Sequence, residues 1–225
     1  MSLTPIKQSI VIIGLLTVAV LTIIWQSWRT IRCTRQLLGY AQTPFPPDLE
    51  ALIREFGLNP SQLVFLKASQ PLTFCFGFLR PRICLSSGLV EVLTRPQLRA
   101  ALLHEEYHRK QFDPLRLLLA EALATALFFL PVVREWHTIF KIQLELNADQ
   151  YAIRKTGRAA LAGALHRLLS YSAIPSPIAH VVTAGLSANN ARIAALLGER
   201  AVHTEITRKS FLYSAFILWV ICLLL

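Results

Sequence analysis

"TRPQLRAALLHEEYHRKQ", residues 94–111, decides how this chain is read. Leu98 and Leu102 alternate by helical turns with a polar set at 104, 105 and 108, so the stretch predicts a helix. Thr94 suits its N-cap and Pro96 its first turn. On that helix His104 and His108 lie four apart and present two imidazoles to one point. Imidazole nitrogens bind zinc at about 2.0–2.1 Å. Glu105 is too close in sequence to His104 to be an easy third ligand. It is well placed to take a proton from a metal-bound water, which is the chemistry that HExxH spacing serves. Such a match arises by chance in about one chain in a hundred with this many histidines, so a third ligand has to be found.

"ELNAD", residues 145–149, supplies it. Glu145 and Asp149 are also four apart on a predicted helix and share a face. One carboxylate can bind the metal. The other can accept the N–H of a ligand histidine and fix its tautomer. A solvated acidic face is the competing reading, but the helix around the pair is otherwise apolar.

The apolar segment "FDPLRLLLAEALATALFFLPVV" lies between the two motifs. If it crossed a bilayer alone, the motifs would stand on opposite sides and could not share a metal. Pro131 therefore predicts an antiparallel hairpin, with an apolar arm at 114–133, that returns Glu145 to His108. The arm is expected either inside the domain or within one leaflet.

Composition places the site on a membrane. Of the 225 residues, 54% are hydrophobic and 16% charged, against about 25% charged in soluble domains. "IVIIGLLTVAVLTIIWQSW" (Ile10–Trp28) is long enough to span, ends in two tryptophans and shows no small-residue cleavage site before the arginines. It predicts an uncleaved anchor over 8–28. "FLYSAFILWVICLLL" predicts a transmembrane or embedded helix over 210–225, short for a span. Arg29, Arg32 and Arg35 follow the first run, and Arg208 and Lys209 precede the last. By the positive-inside rule the intervening domain, 44–200, faces the cytoplasm. The net charge of +10 is spread along these flanks and forms no dense block, so no nucleic-acid partner is expected. The bilayer is the expected partner.

Inside the domain, Leu49, Leu52, Ile53 and Phe56 predict a short amphipathic helix closed by Gly57 and Pro60. "LVFLKAS", "LTFCFGF" and "RPRICLS" read as three short strands. Phe74 to Phe78 is either ordinary sheet or an edge that a peptide could extend. "SSGLVEVLT" turns into a helix, and "RAALAGALHRLLSYSA" and "NNARIAALLGE" are two more. A looser stretch containing Pro175, Pro177 and Gly185 separates them. The fold class is mainly α with a small β-sheet. Cys75 and Cys84 could face each other across a hairpin, although free thiols are the plainer expectation. His137, His166, His180 and His203 have no partner at metal spacing and read as surface or helix-end residues. Tyr107 is expected to point away from the site.

In combination, "CFGFLRPRICLSSGLVEVLTRPQLRAALLHEEYHRKQFDPLR" and "ELNADQYA" resemble the membrane zinc peptidases of the BlaR/MecR antirepressor type, gluzincins related to the HtpX and CAAX-prenyl-protease group. The resemblance covers roughly Phe45 to Gly198. It implies zinc on His104, His108 and Glu145, Glu105 as general base and Asp149 behind a ligand. It also implies a protein or peptide substrate, of which a transcriptional repressor is the family's example. Where related chains carry His-Pro before Arg-Ile, this one has Asn189 and Asn190. Arg192 remains either an oxyanion contact or a structural ion pair. No penicillin-binding domain follows Leu225, so β-lactam sensing is not expected. The alternative to a zinc endopeptidase is a catalytically inactive membrane regulatory module on the same scaffold.

Overall fold

The computed structural model describes residues 4–39, 41–42, 45–172, 186–198 and 205–224. Helix α1 (Thr4–Leu38) is followed by strand β1 (Ala41–Gln42), helix α2 (Pro47–Glu55) and strands β2 (Leu63–Leu66), β3 (Thr73–Phe76) and β4 (Arg82–Ser86). Then come α3 (Ser87–Val92), α4 (Arg95–Lys110), α5 (Asp113–Ala126), α6 (Pro131–Thr156), α7 (Arg158–Ser172), α8 (Leu186–Leu197) and α9 (Arg208–Leu224). The looser stretch with Pro175, Pro177 and Gly185 lies outside the described residues, as do His180 and His203.

The chain is mainly helical, with one small sheet of order β1-β2-β4-β3. β2 and β4 run parallel, and β3 lies antiparallel to β4 at the sheet edge. The register pairs Phe74 with Cys84 and Cys75 with Ile83. Cys75 and Cys84 therefore point to opposite faces of the sheet, because successive strand side chains alternate. The possibility that they face each other is corrected: Cys84 is buried with Val64, Leu66 and Phe74, and both thiols are free.

On the other sheet face, Ile83 and Leu85 pack against Ile53, Leu89, Leu98, Leu102 and Leu161 in the main core. Each such side chain contributes about 1.5–3 kcal/mol by leaving water. This core holds α4 against the sheet by its Leu98/Leu102 face and leaves the histidine face for α6. The start of α4 is fixed by the Thr94 N–H, which donates to Gln97 Oε1 at 3.1 Å.

Phe112 adopts a left-handed conformation, φ 55°, and breaks the chain direction between α4 and α5. Pro131 opens α6, which ends at Gly157, φ 86°. α6 packs on both α4 and α5, so the chain does turn back as the hairpin required. α1 packs along α5, and α9 along α6. Among the described residues, one helix is long and apolar enough to cross a membrane, over Gln8–Gln36. It runs ten residues beyond Trp28, through the arginines, to Leu38.

Candidate metal centre

His104 and His108 stand one turn apart on α4, both buried. Glu145 faces them from α6. His104 Nε2 lies 3.1 Å from His108 Nε2 and 3.3 Å from Glu145 Oε2, and His108 Nε2 lies 3.7 Å from Glu145 Oε1. Tetrahedral ligands at zinc-like bond lengths are separated by about 3.3 Å. The three side chains therefore enclose a point at which a metal ion fits.

Each histidine is held from behind. His108 Nδ1 is 2.8 Å from Asp113 Oδ2. His104 Nδ1 is 2.8 Å from Asp149 Oδ1, an ion-pair contact whose ring N–H is not aligned for a hydrogen bond. Each Nδ1 thus sits against a carboxylate, which favours the proton there and leaves Nε2 to turn its lone pair inward. Two inward lone pairs beside a carboxylate repel unless a cation or proton lies between them. That donor chemistry fits a metal.

Arg192 of α8 completes the arrangement. Its Nε and Nη2 donate to Asp149 Oδ2 and Oδ1, each at 2.8 Å. Its Nη1 lies 3.1 Å from Glu145 Oε2. Of the two roles open for Arg192, the structure displays the ion pair.

Burial and the Arg192 charge push the His104 pKa down, but contacts with Asp149 and Glu145 outweigh them and raise it to about 9. Burial pushes Glu145 up, yet His104, Arg192 and His108 hold it well below the usual carboxylate range. Asp149 is lowered against its burial by His104 and Arg192. Burial, then the Glu105 and Asp113 charges, raise the Cys75 thiol far above its ordinary value.

Glu105 is buried at the wall of a cavity of about 540 Å³ that the histidines and Glu145 also line. Among the described residues it has neither an ion pair nor a hydrogen bond. β3 forms another side of this cavity, which its residues Thr73 to Phe76 line. Tyr107 packs instead on Tyr151, ring centroids 5.5 Å apart.

Two features escaped the sequence reading. Asp113 was legible only as an aspartate downstream of HEEYH, since its approach depends on the turn at Phe112. His137, expected at a surface or helix end, is half-buried in the cavity wall with Nε2 3.1 Å from Glu121 Oε2. The hairpin places both on facing helices, which no local spacing reveals. His166 is exposed, as expected.

The family model described as BlaR1 peptidase M56 matches residues 2–196. No curated protein matches the chain. The match covers most of the chain, which therefore belongs to the BlaR1 peptidase M56 family: a membrane-anchored protein of metallopeptidase type.

Proposed function

We propose that this member of the M56 family is a zinc-dependent endopeptidase, with His104, His108 and Glu145 as ligands and Glu105 as general base. The observation that carries the reading is the convergence of two Nε2 atoms and one carboxylate at zinc-like separations, beside a free carboxylate. When bound, zinc would supply Lewis-acid polarisation of a peptide carbonyl and lower the pKa of a coordinated water.

Glu105 takes the proton from the attacking water and passes it to the departing amine. Its lack of a competing partner leaves both oxygens available. Asp149 and Asp113 hold the two imidazoles in the tautomer that offers Nε2, and Arg192 holds Asp149. Among the described residues, edge strand β3 pairs on one side only, and an extended peptide can add its backbone hydrogen bonds along the other. The catalytic domain faces the cytoplasm, on the evidence of Arg29, Arg32 and Arg35 at the end of the apolar run.

Metal content and turnover of the purified chain test this reading. The account expects one zinc per chain and hydrolysis of unfolded casein. Glu105→Gln should keep the zinc and lose at least about 10²-fold in rate. A zinc-loaded wild-type chain that cuts nothing would leave the inactive regulatory module as the better reading.

A further inference from the structure

We propose that the cleft acts on polypeptides tethered to the bilayer and cuts them within a few residues of the membrane surface. This rests on the peptidase reading above and names its substrate class.

The cavity that holds the metal ligands reaches the membrane anchor itself. Gln26, Thr30 and Thr34 of α1, at i, i+4 and i+8, form one polar stripe and line it. All three are half-covered, while Trp25 and Trp28 beside them are more than half exposed. Arg29 and Arg32 lie over those indole rings, at 5.6 and 4.5 Å from the centroids. Exposed tryptophans next to arginines at the end of an apolar helix mark the headgroup level. The cleft therefore opens at that level.

α6 gives the same answer independently. His137, Lys141 and Glu145 recur every four residues and line the same cavity, so α6 adds a second polar stripe to its wall. Below it, Glu135 accepts from the Thr207 N–H and hydroxyl, each at 3.1 Å, one residue before Arg208 and Lys209. The Val132 N–H donates to Ser214 Oγ at 3.0 Å. The hairpin tip with exposed Phe128 thus descends beside α9, whose Phe211, Leu212, Phe216 and Trp219 are exposed. The change from ionic to apolar surface falls at Glu135 and Thr207.

From Glu135 to Glu145 the helix rises about 15 Å. An extended chain covers that height in about four to five residues. A segment emerging from the bilayer beside α1 would then reach the metal after about five residues. The two polar stripes give it a polar-lined path between otherwise apolar helices.

The test uses the full zinc-loaded chain in vesicles of phosphatidylethanolamine and phosphatidylglycerol. The probe is an unfolded casein segment of about sixty residues fused to one spanning helix, with the same casein free in solution as reference. Cut sites are mapped by mass spectrometry. The proposal expects cuts concentrated within about ten residues of the span. It expects a rate about tenfold above free casein, and loss of that gain when a rigid helical spacer of about 20 Å lifts the casein away. Cuts spread evenly along the tethered casein, or a rate indifferent to the spacer, would overturn it while leaving the peptidase reading intact. No cleavage of either casein would remove both.

Discussion

Asp113 Oδ2 lies 2.8 Å from Nδ1 of His108, five residues earlier in the chain. The contact is possible because Phe112 turns left-handed and starts α5 beneath the histidine. Asp113 is almost wholly buried and also accepts from Arg116 Nη1 at 2.6 Å. Its carboxylate therefore holds the imidazole at a fixed angle. Asp113→Ala should weaken metal binding about 10- to 100-fold, read by competition with a chromogenic chelator. Asp113→Asn keeps an acceptor oxygen and should lose less.

Arg192 does the corresponding work one layer behind His104. Its fork on Asp149 is bidentate and largely buried. Arg192→Met leaves Asp149 with only its His104 contact and should cost about 3–5 kcal/mol, seen as a lower melting temperature in detergent. Arg192→Lys cannot reproduce the two parallel bonds and should recover only part of that loss. Chelator competition on the same variants should report weaker zinc binding, because Asp149 no longer aligns His104.

How much of this was legible follows from the kind of spacing involved. HEEYH and ELNAD each repeat at one helical turn, so the candidate ligands and their shared faces could be read without coordinates. Pro131 then forced the hairpin that joins them. The Asp113 contact hangs on one backbone dihedral at Phe112, which composition does not encode. The opposite facing of Cys75 and Cys84 depends on strand register, and the loop at 77–81 leaves that open. The Glu121–His137 pair joins facing helices, and α1 continues as helix to Leu38, past the end of the apolar run at Trp28 that bounded the expected anchor.

The raised pKa of His104 has a definite sign. Its ordinary value is 6.5 and its folded, metal-free value about 9. Its contribution to stability is fully present below pH 6.5 and is lost as pH rises through 9. Zinc must displace that proton, so zinc affinity should increase from pH 6.5 to 9 with proton release. Thermal melts across this range should show the metal-free chain losing stability while the stabilisation by zinc grows.

Gly88 explains the Ser-Gly-Leu sequence at the start of α3. Its N–H donates to the Ala68 carbonyl at 2.8 Å, and a Cβ there would lie 2.0 Å from the Ser69 carbonyl oxygen. Both neighbours are backbone and cannot swing aside. Gly88→Ala should destabilise by about 2–3 kcal/mol, measured as a drop in melting temperature. Gly14→Ala, where nothing lies within 4 Å, is the matched control and should leave the melting temperature unchanged.

The central claim is that His104, His108 and Glu145 bind one zinc ion. X-ray absorption at the zinc edge of the purified full chain tests it most directly. The account predicts stoichiometric zinc with two imidazole nitrogens and carboxylate or water oxygens at about 2.0–2.1 Å, and no sulfur. It also predicts that Glu145→Gln changes that shell. A shell containing sulfur at about 2.3 Å, which would bring Cys75 onto the metal, or a spectrum unaltered by Glu145→Gln, would contradict it.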